Sequence, residues 1–260
     1  MIFIPSRKDV WAGSFESYTD AQKSIKKDFC DTVSPFENIS WLKRHEKNTK
    51  FQNAPTSMRR TTLPIFACGL NISRILDYGG GSGWGYNSCV NSGLSVEEYS
   101  IVEKSSVVNY FSKKASPPVR YYTNSHHSLG QENKSPDIVY SNSTLQYLPN
   151  NFEFLNLIRQ TLPKYVLLDE VLWTIGRKDW FSIQVNSDSP VVSRFISLDN
   201  LLIELQNEGY ELVFKDVYHN SSAFPKMSLI PLERRISNSL TLAFSRNKFK
   251  STMLNQENQN

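Results

Sequence analysis

The stretch Ile75-Leu76-Asp77-Tyr78-Gly79-Gly80-Gly81-Ser82-Gly83 constrains the fold of this chain more than any other. An apolar run with strand character ends in an acid, glycines follow, and a helical pattern begins near Tyr86. A chain passing from strand to helix over so few residues must turn sharply. Glycine alone tolerates both the backbone angles and the close approach of a ligand to bare main chain. A tight turn with no ligand explains the glycines as well, but two flanking residues favour binding. Asp77 stands just before the glycines. Glu103 ends the next predicted strand, where a carboxylate can accept both hydroxyls of a ribose.

Five short β-rich runs, at 72–78, 99–103, 119–123, 137–141 and 165–169, alternate with helical intervals at 86–92, 105–114 and 152–162. Strands alternating with helices predict a parallel sheet covered on both faces. A later unit adds a helix over 201–207, opened by Ser197 and stopped at Gly209, with strands at 210–218 and 239–244. The expected fold is therefore α/β, a Rossmann-like, doubly wound, mostly parallel seven-stranded sheet. Residues 1–70 carry helical signals and no good strand, which predicts a helical N-terminal cap. Residues 71–246 form the expected ligand-binding domain, and 247–260 read as a polar, frayed tail.

Composition narrows the class. The 260 residues, 39% apolar and 21% charged, suit one sizeable globular α/β domain. No apolar run approaches the roughly 20 residues that span a bilayer. The net charge of +4 is spread over short clusters such as Lys26-Lys27, Arg59-Arg60 and Arg234-Arg235, so solvated surface is expected rather than a nucleic-acid groove. Three cysteines, Cys30, Cys68 and Cys89, are an odd set without a CxxC spacing. They predict neither a disulfide framework nor a zinc site, and fit a reducing cytoplasm.

Two cofactor classes use a glycine loop of this kind. Nicotinamide and flavin enzymes need G-x-G-x-x-G/A, with a pyrophosphate on the helix N-terminus. Counting from Gly79 or Gly81, the last position is Trp84 or Tyr86, both too bulky; counting from Gly83 it is Ser88, but that register begins well past the strand. The D-x-G-x-G-x-G spacing from Asp77 to Gly83 instead resembles the first motif of class I S-adenosylmethionine-dependent methyltransferases. The segment Pro136-Asp137-Ile138-Val139-Tyr140-Ser141-Asn142-Ser143-Thr144-Leu145-Gln146-Tyr147-Leu148 is similar to a narrower methyltransferase family associated with bacterial surface-polysaccharide gene clusters. Trp11-Ala12-Gly13, Ser17-Tyr18-Thr19-Asp20-Ala21, Val102-Glu103-Lys104, Tyr121-Tyr122-Thr123 and Ser182-Ile183-Gln184 resemble the same family. The likeness covers roughly residues 10–245. One departure stands out: the family commonly has Asp-Arg after the fifth strand, and this chain has Asp169-Glu170.

The resemblance implies S-adenosylmethionine as cofactor and a small molecule, such as a sugar intermediate of surface-polysaccharide synthesis, as methyl acceptor. In doubly wound sheets, ligands bind outside the carboxyl ends of the strands. That rule, joined to the motif, assigns the cofactor to Asp77, Gly79, Gly80, Gly81, Glu103, Lys104, Ser125, Ser141 and Asn142. Asp77 is expected to favour the cationic ligand and Glu103 to hold the ribose. Ser125 and His126 stand near the adenine, and Ser141 and Asn142 line the sulfonium side. An oxygen acceptor also benefits from a base. Glu170, His126 and His219 are the candidates, in no order that the sequence ranks.

Each residue has a plainer reading. Glu103 can pair with Lys104 or cap the helix near Ser105, and His126-His127 can be solvated surface. Asp169 can be a structural hydrogen-bond acceptor. Trp173, Trp180 and Phe181, with Arg177, Lys178 and Arg194, are expected to wall an acceptor pocket that grips an anion; core packing is the alternative for the aromatics. Two functions follow: an active methyltransferase, or a methyltransferase-like binding domain without catalysis.

Overall fold

A computed structural model describes residues 10–29, 36, 38–50, 62–123, 135–176, 178–186, 189–218 and 227–247. The chain opens with β1 (Trp11–Phe15), α1 (Tyr18–Phe29), α2 (Ile39–Lys50) and α3 (Thr62–Gly69). Then come β2 (Arg74–Tyr78), α4 (Trp84–Asn91), β3 (Glu98–Val102), α5 (Ser105–Phe111), β4 (Val119–Tyr122) and β5 (Ile138–Asn142). A short 3-10 turn at Leu145–Tyr147 leads to α6 (Phe152–Thr161) and β6 (Tyr165–Val171). The remainder is β7 (Trp173–Thr174), β8 (Trp180–Asn186), β9 (Ser189–Ser197), α7 (Leu198–Asn207), β10 (Tyr210–Tyr218) and β11 (Ser239–Arg246).

The main sheet has seven strands in the order β10-β11-β6-β5-β2-β3-β4. All run parallel except β11, which is antiparallel to both β10 and β6. The Rossmann-like sheet expected from the alternation is the one this chain forms. Its central strands are almost wholly buried, β5 at every residue and β2 at all but Arg74, as a sheet covered on both faces requires. Leu76, Val139, Leu168 and Leu242 pack under α6 and α7 against Phe154, Leu157, Leu201 and Leu205. On the other face Ile75, Tyr99, Ile101, Ile138 and Leu167 meet Leu63 and Ala67 of α3 and Cys89 of α4.

The strand order places the site. From β2 the chain moves outward to β3 and β4, then returns to lay β5 on the opposite side of β2. Successive connections therefore leave β2 and β5 in opposite directions, which opens a crevice at their carboxyl ends.

The first 70 residues are not wholly helical. Trp11–Phe15 pairs antiparallel with β8, Trp11 opposite Gln184 and Ala12 opposite Ile183. This makes a second sheet of four strands in the order β1-β8-β9-β7. Gly13, in the left-handed region at φ 74, sits where that register shifts. A five-residue strand interrupted by glycine and paired with a segment so remote in sequence leaves little local signal. The helical signals of this segment are met by α1, α2 and α3, and α2 packs Leu42 on Val107 and Phe111 of α5. The tail beyond residue 247 lies outside the described residues. Among those described, no helix is long and apolar enough to cross a membrane.

Candidate functional site

The glycine loop is held from three sides. The Gly79 amide donates to the Val102 carbonyl of β3 at 2.9 Å. At φ 76 Gly79 is left-handed, and a Cβ built there would lie 2.3 Å from the Thr144 hydroxyl oxygen, so no other residue fits. Gly81 is also left-handed, at φ 57, yet nothing lies within 4 Å of the Cβ it lacks. One loop glycine is thus demanded by packing, the other by backbone conformation beside open space.

Asp77, read from the sequence as favouring a cationic ligand, lies beneath the loop. It is 2% exposed, and its Oδ2 accepts the Tyr99 hydroxyl at 2.6 Å. A Cβ on Gly80 would sit 2.6 Å from the Asp77 carboxyl carbon. The loop therefore rests on the acid, and Tyr99 of the neighbouring strand captures it.

Glu103 bridges the loop to the end of β3. Its Oε1 accepts the Gly81 amide at 3.1 Å and its Oε2 accepts the Lys104 amide at 3.0 Å. Each carboxylate oxygen keeps a second lone pair. Burial pushes the carboxyl up from its ordinary value, and the Lys104 and Gly81 amides hold part of that rise back. The residue capping α5 is Lys104, which makes no side-chain cap bond, so Glu103 does not cap that helix. The Lys104 ammonium lies 5.8 Å from the centroid of the Phe36 ring.

Across the crevice, the end of β5 divides its labour. Ser141 is buried and donates to the Tyr78 carbonyl at 3.0 Å, a seam between β5 and β2. Asn142, 8% exposed, has both amide atoms buried without a hydrogen-bond partner. An unpaired buried polar group costs about 1–3 kcal/mol, so its presence at the switch point asks for a partner that arrives from outside the chain. Ser143 follows in the left-handed region at φ 53, its amide tied to the Asp169 carbonyl at 2.9 Å.

The neighbouring strand carries a matching irregularity. Pairing of β11 with β6 slips between Leu240 opposite Val171 and Leu242 opposite Leu168, so β6 contains one extra residue. Glu170 sits in that bulge at φ 53. Asp169 pins it, its Oδ1 accepting the Thr241 hydroxyl at 2.5 Å and the Glu170 amide at 3.2 Å. Asp169 is thus the structural acceptor among its two readings. Strained non-glycine residues on adjacent strands, both at the carboxyl ends, mark this corner.

Sequence reasoning missed Tyr147. Tyr147 donates to Gln184 Oε1 of β8 at 2.9 Å, and the Ser193 hydroxyl of β9 donates to the same oxygen at 3.3 Å. Burial, with the Glu170 charge adding to it, pushes the Tyr147 phenol up to about 12. Phe36 packs edge-on against Tyr147, centroids 4.8 Å apart. A phenol two strands from its amide partner gives no linear motif. The only signal was that Gln146-Tyr147 and Gln184 both fall in segments carrying the family likeness.

Other expected residues fall elsewhere. Ser125, His126, His219 and Arg177 lie outside the described residues. Arg194, expected to grip an anion, is 1% exposed and committed within the fold. It donates to Asp179 at 3.2 Å, to the Leu145 carbonyl at 3.3 Å and to Asn151. Strand alternation turns it inward, where β9 meets the 3-10 turn. Trp180 stacks on Phe195 at 3.8 Å in a cluster with Trp11 and Leu172, and Phe181 packs with Ala21 and Val192. Those two aromatics are core. Trp173 donates its indole N–H to Asn238 at 3.0 Å, and Lys178 is exposed.

No known family profile matches the sequence, and no curated protein matches it. Solved structures with a similar fold include an S-adenosylmethionine-dependent methyltransferase of Mesorhizobium loti, 16% identical, with a TM-score of 0.43 over 67% of this chain and 90% of that one. The CcbJ methyltransferase of Streptomyces caelestis is also 16% identical, with a TM-score of 0.46 over 70% of this chain and 87% of that one. The 1,6-didemethyltoxoflavin-N1-methyltransferase of Burkholderia thailandensis, solved with bound 1,6-didemethyltoxoflavin and S-adenosylhomocysteine, is 13% identical, with a TM-score of 0.45 over 84% of this chain and 92% of that one.

Proposed function

We propose that this chain is an S-adenosylmethionine-dependent methyltransferase acting on a small molecule. The observation that carries the reading is a pair of groups at the carboxyl ends of β3 and β5, the two strands that flank β2. Glu103 holds the glycine loop with a lone pair left on each oxygen, and Asn142 has an unpaired buried amide. That donor set fits an adenosyl amino acid better than a dinucleotide. Glu103 accepts the ribose hydroxyls, the bare backbone at Gly81 admits the ligand, and Asn142 meets its polar amino-acid end. Asp77 acts indirectly, by supporting the loop. When bound, the cofactor supplies a methyl group whose bond to sulfur breaks with the electron pair remaining on sulfur.

The protein's contribution is placement. A positive charge disappears as the methyl moves, so the site gains most by holding the reacting atoms close and excluding water. Phe36 and Tyr147 are read as cover on the acceptor side, and Glu170, at the carboxyl end of β6, is the candidate base among the described residues. The acceptor we favour is a sugar intermediate of surface-polysaccharide synthesis, a choice that rests on the sequence resemblance alone. Cytoplasmic placement belongs to the same proposal and rests on the cysteine pattern; Cys68 and Cys89 are free thiols. The second reading, a binding domain without catalysis, is separated by turnover.

Calorimetry with S-adenosylmethionine, S-adenosylhomocysteine and NAD tests the cofactor. Micromolar binding of the first two is expected. Saturable NAD binding with no heat from either sulfur compound would overturn the proposal.

A further inference from the structure

We propose that the Phe36 ring reads the charge of the methyl donor, favouring the sulfonium of S-adenosylmethionine over the neutral thioether of S-adenosylhomocysteine. This deepens the methyltransferase reading above and rests on it.

Placement is the first reason. Strands β3 and β5 flank β2 in the sheet, so their carboxyl ends stand about 10 Å apart with the glycine loop between them. Phe36 meets residues that follow both. Its centroid lies 4.8 Å from that of Tyr147, in the 3-10 turn after β5. It lies 5.8 Å from the ammonium of Lys104, the residue directly after Glu103 at the end of β3. Trp41 of α2 packs edge-on against the same ring, centroids 5.6 Å apart, and α2 is itself docked on α5, the helix that follows β3. One aromatic ring thus reaches from the β3 side of the crevice to the β5 side. That span crosses the loop in which Glu103 Oε1 accepts the Gly81 amide at 3.1 Å.

The second reason is chemical. The face of a benzene ring carries partial negative charge and attracts a cation within about 6 Å of its centroid. Phe36 already draws one, the Lys104 ammonium. Lys104 is exposed, whereas Phe36 and Tyr147 are half-buried. An exposed ammonium gives up a ring at little cost, because water solvates it as well. A sulfonium on a ligand brings its charge into the crevice with its own water removed, and a desolvated cation gains most from an aromatic face. The ring that Phe36 rests on is anchored, since the Tyr147 phenol donates to Gln184 Oε1 at 2.9 Å.

A consequence for turnover follows. Loss of the methyl group turns the sulfonium into a thioether and takes the charge away. A ring that holds the charged donor therefore loosens its hold on the spent product, which leaves as fresh donor enters. A ring that served only as an apolar cover would bind donor and product alike.

The test is calorimetry on the full chain with S-adenosylmethionine, S-adenosylhomocysteine and sinefungin, which carries an aminated carbon where the donor has its methylsulfonium. Phe36→Leu keeps an apolar cover and removes the ring. It should lower the affinity for S-adenosylmethionine relative to S-adenosylhomocysteine by about fivefold or more, and sinefungin should follow S-adenosylmethionine. Phe36→Tyr, which keeps an aromatic face, should retain the wild-type ratio. Lys104→Met, which removes a competing and repelling ammonium, should shift the ratio further toward the charged ligands. If Phe36→Leu weakens all three ligands equally, or weakens none, the ring is cover alone and the inference is overturned. If the wild-type chain binds none of the three, the underlying methyltransferase reading falls instead.

Discussion

The Tyr99 hydroxyl donates to Asp77 Oδ2 at 2.6 Å from the adjacent strand, and the fold keeps room for that bond by placing glycine against both partners. A Cβ on Gly85 would lie 2.0 Å from the Tyr99 oxygen. Tyr99→Phe should therefore leave a buried carboxylate short of a donor and lower stability by about 1–3 kcal/mol in chemical denaturation. Gly85→Ala should destabilise more, because it displaces Tyr99 as well as breaking the bond. The loop survives in Tyr99→Phe, so its loss of cofactor affinity should stay below about tenfold by calorimetry.

Glu103 ties cofactor affinity to pH. Its ionised form accepts the Gly81 and Lys104 amides and, in the proposed complex, the ribose hydroxyls. The ordinary carboxyl value is 4.5, and burial raises it here. Protonation removes acceptor capacity, so affinity should be full well above the raised value and fall as pH drops through it. The fall should begin at higher pH than an ordinary glutamate would give. For folding the sign is opposite, because a carboxyl raised in the folded state makes the fold more stable as pH falls. Glu103→Gln should flatten the pH profile of binding, and Glu103→Ala should weaken binding at neutral pH by at least about tenfold. Calorimetry across a pH series reads both.

The main sheet was legible because its central strands are nearly continuous apolar runs. Ile75-Leu76 and Ile138-Val139-Tyr140 suit only a strand covered on both faces. Glu103 was legible for a related reason: the end of the strand after a glycine loop is a position defined by chain order alone. What escaped depends on pairings between distant residues. The partner of Trp11–Phe15 lies about 170 residues on, as the Ser182 bonds to Ala12 and Gly13 indicate. Chain order could not say that Tyr99 would capture Asp77. Nor could it say whether Arg194 would face the crevice or the interior, since a strand alternates and the register chooses.

Asn142 offers a test in which stability and binding part company. Its amide is buried without partners, so replacing it by a similar-sized apolar side chain removes a desolvation penalty. Asn142→Leu should match or exceed the wild-type melting temperature while weakening S-adenosylmethionine by about tenfold. A fall in both would mean that the amide serves the fold alone. Denaturation and calorimetry on one preparation separate the cases.

Glu170 poses the same question of the backbone. At φ 53 it occupies a region that glycine enters freely and other residues enter at a cost of roughly 1–2 kcal/mol. Glu170→Ala keeps that strain and loses the carboxylate, whereas Glu170→Gly loses both. Glycine also adds freedom to the unfolded chain, which takes back somewhat under 1 kcal/mol. The glycine variant should therefore come out about 0.5–1 kcal/mol more stable than the alanine variant in urea denaturation. Both should bind S-adenosylhomocysteine like the wild type. Such a result would place the strain of the bulge in the service of the carboxylate it aims. If alanine and glycine proved equally stable, the bulge would be an ordinary feature of the sheet. The position of Glu170 would then owe nothing to the site.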